Sequence, residues 1–340
     1  MSRFSLAGLT VPVIAAPMAG GPSTPELAAA ATNAGGLGFV AGGYLSVEEF
    51  AHRLAAAQKG ADGPIGANLF VPQPNTANKA EIDRYAGVLT ADAQRYEVEL
   101  GEPRYSDDNW SAKLDVILDL RPEIVSFTFD VPSAHEIRRL ADTGITTAAT
   151  VTSAAEAELA VSRGVDAVVA QGPAAGGHRG TYDATAQPNT QPLPQLLAAV
   201  LDRVDVPVVA AGGLMTAADV DAALRAGAVA AQLGTAFLLS EEAGSSPLHR
   251  AALTDPQFTE TAVTRAFSGR YARGLRNRFI DEHEEAAPFG YPQLHYLTSP
   301  LRKAAVQARD AHGTNVWAGT GFKKAKPASV ATIMAELSCR

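Results

Sequence analysis

Cysteine is nearly missing: of 340 residues only Cys339 is one, and it stands next to the chain's last residue. A single thiol forms no internal disulfide, so a disulfide framework is excluded and a reducing compartment is expected. At that position it reads as a solvated tail thiol, not a nucleophile. Long apolar runs are also missing. Thr10 and Pro12 interrupt the first one, and nothing reaches the roughly 20 apolar residues that a membrane helix needs. The expectation is a cytoplasmic protein with no membrane partner. Positive charge is in deficit: 28 basic against 36 acidic side chains give −8, which argues against a nucleic-acid surface or a polybasic anchor. No HxH or HExxH spacing occurs, so no metal is expected.

What is present is an ordinary globular composition, 46% hydrophobic and 19% charged, which does not indicate disorder. Apolar strand-like runs fall at residues 13–18, 37–41, 65–71, 124–129, 146–152, 166–171, 207–211 and 230–238. Helical segments separate them, at 25–34, 47–59, 112–120, 133–143, 154–163, 194–203 and 217–226. Eight β/α units with right-handed crossovers predict an α/β protein of the (β/α)8 TIM-barrel type over residues 1–240. The competing doubly wound sheet lacks its GxGxxG after the first strand. Residues 73–110 break the rhythm and suggest a rim excursion with a long polar helix at 78–100. Residues 241–294 are polar, with arginines at 265, 270, 273, 276 and 278 and acids at 281, 282, 284 and 285. They predict a small, mainly helical second domain covering the C-terminal face as a lid, without strand alternation. Residues 295–340 form a C-terminal segment returning to the barrel, with helices at 304–311 and 328–337.

In such a barrel the C-terminal strand ends share one face, where ligands bind. The sixth run ends at Gln171 and opens into a glycine-rich loop, Gly172 to Gly180, that holds His178 and Arg179. Histidine suits proton transfer near neutral pH, although one histidine in a glycine loop is weak evidence alone. Gly212 and Gly213 end the seventh strand, and Gln232, Leu233, Gly234 and Thr235 run through the eighth. Small residues after these two strands let an anion approach backbone N–H groups, as in a phosphate site. Asn68 and Gln171 offer amides that match the edge of a planar heterocycle or else satisfy strand-end backbone. Thr128 and Asp130 stand after the fourth strand. Together these features suggest a flavin mononucleotide.

The segments APMAGG (16–21), GANLF (66–70), QGPAAGGHRG (171–180), AAGG (210–213), QLGTAFL (232–238) and FSGRYARGLRN (267–277) resemble the nitronate monooxygenase family. The likeness continues through YPQLHYLTSPLR (291–302) and WAGTG (317–321). It implies an FMN-binding barrel that oxidises alkyl nitronates, such as propionate 3-nitronate, with dioxygen to a carbonyl compound plus nitrite or nitrate. FMN contacts are implied for Pro17, Met18, Asn68, Gln171, Gly176, Gly177, Gly212, Gly213, Gln232, Leu233, Gly234 and Thr235. His178 becomes the active-site acid or base: a base towards a neutral nitroalkane, or a donor holding the oxygens of a pre-formed nitronate, the role expected first. Tyr291 and His295 are candidates for the substrate side, and Trp317 reads as core. Three positions depart from the family pattern, with Ala15 for glutamine, Ala174 for glutamate and Thr320 for glutamine. Rival readings are an FMN-dependent enoyl-acyl-carrier-protein reductase using a reduced nicotinamide, and a non-redox phosphate-binding barrel. A monomer or a homodimer is expected.

Overall fold

The computed structural model of the chain describes residues 4–338, so Cys339 lies outside the described residues. Eight parallel strands close into a barrel: β1 (Val13–Ala15), β2 (Leu37–Ala41), β3 (Ile65–Phe70), β4 (Ile124–Thr128), β5 (Thr146–Val151), β6 (Ala167–Gln171), β8 (Val208–Ala211) and β9 (Ala230–Leu233). β7 (Gly177–His178) lies outside it. Closure comes from β1, which pairs with β9 through Ile14 and Gln232 and with β2 through Ile14 and Leu37.

Alternation along each strand builds two cores at once. Ala167 and Val169 of β6 fill the barrel's interior with Ile14, Phe39, Ile124 and Val209. Val168 and Ala170 face the surrounding helices, beside Leu196, Leu197 and Val200. Burial on both faces is what a near-continuous apolar run encodes in a parallel sheet. Several of the helices start at side-chain caps. Thr24 accepts from the Leu27 N–H ahead of Pro25–Asn33, and Ser133 and Thr216 form capping boxes with Glu136 and Asp219. At Gly38 a Cβ would lie 2.0 Å from Ala28 O, so only glycine lets the first helix settle on β2.

Four elements differ from the sequence reading, each for a physical reason. The long helix at 78–100 is two helices, Lys79–Val88 and Thr90–Arg95, that meet at the buried Leu89 after Gly87. The last strand stops at Leu233. Its apolar continuation turns through Thr235–Phe237 so that Phe237 packs beside Met334, while Leu238 and Leu239 pack beside Phe258 and Phe322. The helix expected at 304–311 runs Gln293–Gln307, and the proline inside it, Pro300, hides its first half in sequence. Packing of Leu294, Leu297 and Leu301 outweighs that defect.

The fourth difference bears on the site. Residues 241–294 contain strands as well as helices: β10 (Thr261–Thr264) pairs antiparallel with β11 (Ala272–Leu275). β11 in turn pairs with β7, setting Ala272 opposite His178. The glycine-rich loop is therefore the edge of a three-stranded sheet that docks the second region on the barrel mouth. Its core joins Ile82, Tyr85 and Leu89 of the excursion to Phe267, Phe279, Leu294 and Leu301, so it draws on residues outside 241–294. The final helix, Val330–Ser338, packs Val330, Ile333 and Met334 against Val13, Leu27 and Leu233. No helix among the described residues is long and apolar enough to cross a membrane.

Candidate active site

The strand ends open into a cavity of 660 Å³, within the roughly 300–1,000 Å³ of small-molecule sites. Pro17, Met18, Asn68, Gln171, Gly176, Gly177, Gly212, Gly213, Gln232, Leu233, Gly234 and Thr235 all line it, as do His178 and His295. Tyr291 does not. It faces a neighbouring cleft with Tyr105 and Tyr296, its ring 5.6 Å from that of His178 and its hydroxyl donating to Tyr44 at 3.0 Å. Asp130 turns away to Arg163. Trp317, read as core, is a wall of the cavity with its ring 5.6 Å from His178.

The turns after β8 and β9 have the shape of an anion cradle. Gly213 has φ +84°, and a Cβ there would lie 2.7 Å from the Ala174 Cβ. Among the described residues, the Gly213 and Gly234 N–H groups reach no carbonyl. Such amides at the rim of the last two barrel strands fit a phosphate. Opposite them, the Asn68 amide nitrogen donates to Ser126 O, Ser126 Oγ and Thr128 Oγ1 at 2.9–3.1 Å, which leaves its oxygen as an acceptor toward the cavity. These residues fit the phosphate and the ring edge of a flavin mononucleotide.

Gln171 has a double task. Its Nε2 donates to His178 O at 3.1 Å and its Oε1 accepts from Gly180 N at 2.9 Å, so it clamps the histidine loop from the barrel side. Arg179, 1% exposed, points away from the cavity and donates to Gly172 O at 2.5 Å and Gln171 O at 3.2 Å. The loop is thereby fixed at both ends and paired to β11 in the middle.

His178 is held by this frame with Nε2 2.8 Å from Ser268 Oγ. The Ser268 hydroxyl lies 3.2 Å from Arg270 O, an acceptor only. Both contacts are satisfied when Ser268 donates to that carbonyl and His178 carries its proton on Nε2. Nδ1 then presents a lone pair, and no described residue bonds it. Burial, followed by the charges of Arg270 and Arg302, pushes the imidazole pKa down to about 3. At neutral pH it is an uncharged base.

Of the five arginines between 265 and 278, three pair with acids as a solvated face would: Arg265 with Glu284, Arg276 with Glu260 and Asp281, Arg278 with Asp92 and Glu282. Arg270 is 0% exposed and bonds Thr181 O and Thr181 Oγ1, with its guanidinium 4.1 Å from the centre of the Phe129 ring. Arg273 donates to Pro173 O and Thr261 Oγ1. Asp92, Glu282 and His283 converge as metal ligands might, but Arg278 already bonds Asp92 at 3.0 Å and Glu282 at 2.6 Å.

Sequence reasoning missed Tyr44, Ser268 and Arg302, all of which line the cavity. Tyr44 stacks on His295 with ring centroids 4.1 Å apart. Arg302 would have emerged had the helix been started at Gln293, since His295, Ser299 and Arg302 follow the i, i+4, i+7 spacing of one face. No aspartate or glutamate is among the described lining residues.

The closed barrel, and the cavity at its C-terminal face with the buried imidazole and the glycine turns, define a (β/α)8-barrel protein with a candidate site at that face. The family model for nitronate monooxygenase matches residues 3–339, and the chain belongs to that family and is an oxidoreductase. A probable nitronate monooxygenase from Staphylococcus aureus (strain MRSA252) is 36% identical over 337 residues, covering 96% of this chain and 93% of that one. The solved nitroalkane oxidase from Streptomyces ansochromogenes is 45% identical with a TM-score of 0.94, over 97% of this chain and 95% of its own. FabK from Thermotoga maritima, 24% identical with a TM-score of 0.75 over 98% and 93%, shares the fold.

Proposed function

We propose that this enzyme binds FMN at the cradle and oxidises alkyl nitronates, such as propionate 3-nitronate, with dioxygen. The observation that carries the reading is the uncharged His178, its Nδ1 without a protein partner, in a cavity whose described lining lacks carboxylates. Family membership and the nitroalkane oxidase likeness support the same reaction class. Gly212, Gly213, Gly234 and Thr235 would hold the phosphate; Pro17, Met18, Asn68 and Gln171 would flank the ring, with Gly176, Gly177, Gln232 and Leu233 closing round it. The chemistry a bound flavin supplies is electron acceptance from the nitronate carbon, after which dioxygen completes oxidation to a carbonyl compound and nitrite or nitrate.

The residues of this chain prepare the substrate. A neutral nitroalkane needs a base for its carbon-bound proton, and the hydrogen-bond pattern supports that role for His178 Nδ1 over the donor role expected from sequence. A pre-formed nitronate needs no base and calls only for groups that hold its charge. Phe70, Phe129 and Trp317 make an apolar surround that strengthens those polar contacts.

The test is a flavin spectrum of the purified protein, then oxygen uptake and nitrite release with propionate 3-nitronate. His178→Asn is expected to keep the flavin and to lose about 10²- to 10⁴-fold in turnover of neutral nitroalkanes. A colourless protein that takes up no FMN overturns the reading. So does anaerobic flavin reduction by NADH without nitronate oxidation, which would favour a reductase.

A further inference from the structure

Arg302 occupies a place that no other arginine among the described residues shares. It lines the cavity, and Lys303 beside it is the other cation there, in a lining with no described carboxylate and a chain with eight more acids than bases. Arg265, Arg276 and Arg278 each have a carboxylate partner. Arg179 and Arg270 are shut off from the cavity under backbone carbonyls. Arg302 has neutral partners only. Its Nε donates to Thr298 Oγ1 at 3.1 Å, Nη1 to Asn315 Oδ1 at 3.1 Å, and Nη2 to His295 O at 2.8 Å and His295 Nδ1 at 3.3 Å. Four of its five N–H groups are thus used, all to orient the fork, and one on Nη1 is left over.

A largely buried guanidinium without a counter-ion is costly unless something supplies the missing charge. Its four neutral contacts hold it rigidly, which suits recognition of a planar oxyanion by paired N–H groups. His295 extends the same surface. Because its Nδ1 accepts from Arg302, its proton sits on Nε2, and the stacked Tyr44 ring holds the imidazole plane in place.

We propose that Arg302, with His295 beside it, is the specificity-determining residue that holds a planar oxyanion of the substrate. That group is either a carboxylate borne by the nitro compound or the nitronate's own NO2 group. The assignment rests on the proposed nitronate chemistry for its substrate, but not for the binding of an anion. His178 would then act on the carbon while Arg302 fixes the charged end, dividing the work between two walls of the cavity.

The experiment compares wild type, Arg302→Met and Arg302→Lys, each loaded with FMN. Steady-state kinetics are measured with propionate 3-nitronate and with propyl-1-nitronate, and nitrate binding is measured by calorimetry. Arg302→Met is expected to raise the KM for propionate 3-nitronate about 10- to 100-fold, with kcat moving far less. It is expected to weaken nitrate binding similarly, and Arg302→Lys to fall between. A rise for both nitronates assigns Arg302 to the NO2 group; a rise for propionate 3-nitronate alone assigns it to the carboxylate. Unchanged KM and unchanged nitrate binding in Arg302→Met overturn the proposal. Should the methionine variant fail to fold, wild-type KM and nitrate affinity in Arg302→Lys overturn it instead. If wild type oxidises neither nitronate yet binds nitrate through Arg302, the proposed reaction falls and the anion site stands.

Discussion

Ser268 Oγ lies between His178 Nε2 at 2.8 Å and Arg270 O at 3.2 Å, and its single proton can serve only one of them. Because Arg270 O is an acceptor, the hydroxyl proton goes there and the tautomer of His178 follows. Ser268→Ala removes that control while leaving the ring packed between Phe129 and Trp317. The expected outcome is about a tenfold loss of kcat/KM on neutral nitroalkanes, recovered in Ser268→Thr, with flavin content unchanged. Equal kinetics in the alanine variant would remove Ser268 from the site. His178 was legible in the sequence because a glycine loop after a buried strand is itself a local signal. Ser268 was not, since it stands 90 residues away and meets His178 only through the pairing of β7 with β11. Tyr291 shows the converse: its segment pointed to the site, but a hydroxyl bond to Tyr44 turns it into the wall of the adjoining cleft.

Strands and loops carry the next level of the argument. Seven of the eight barrel strands were readable to within a few residues, because burial on both faces leaves a bare apolar run with glycine or a cap at its ends. The eighth read too long, as Phe237 and Leu238 are apolar for loop packing. The hairpin of β10 and β11 was hidden, since its four-residue strands carry Arg273 and Gly274 and its sheet is completed by a distant two-residue edge. Ala174 and Thr320, two positions that the resemblance marks as departures, are neighbours: the Thr320 N–H donates to Ala174 O at 3.1 Å beside Gly213. At Gly213 an added methyl meets both the left-handed φ and the Ala174 side chain. Gly213→Ala is therefore expected to weaken flavin binding at least tenfold, with the melting temperature of the flavin-free protein lowered by a few degrees. Flavin titration by fluorescence checks it, and wild-type affinity would rule out this turn as the phosphate site. Arg179→Met attacks the other loop. It takes the guanidinium donors away from the Gly172 and Gln171 carbonyls, of which Gly172 O keeps only the Ala175 N–H at 3.2 Å, and is expected to destabilise the fold by about 2–4 kcal/mol, read from urea unfolding.

Across the whole molecule, the cavity makes the stability of the fold depend on pH. His178, His249 and His295 all line it, and burial is the largest cause that lowers each: to about 3, about 4 and about 2, against an ordinary 6.5. Arg270 and Arg302 add to the effect on His178, and Arg302 to that on His295, whereas the Trp317 carbonyl opposes it at His249. Above pH 6.5 these imidazoles are neutral folded or unfolded, so they contribute nothing to the pH dependence. Below it the unfolded chain takes up protons that the folded chain refuses, and stability falls as pH falls until each folded pKa is reached. Each group gives a slope of up to about 1.4 kcal/mol per pH unit, so the three together give up to about 4, less whatever the cavity's water screens. Most carboxylates titrate lower, which leaves the window from pH 6.5 to 5 to histidine. Urea unfolding of the flavin-free protein is expected to show a clear loss of free energy between pH 7.5 and 5.5. His249→Gln should reduce that slope by about a third without touching the His178 loop, because the His249 imidazole bonds the Trp317 carbonyl and no residue of that loop. Equal unfolding free energies at the two pH values would mean that these imidazoles titrate near the ordinary 6.5 in the folded state, so that burial in the cavity does not hold them neutral below that pH.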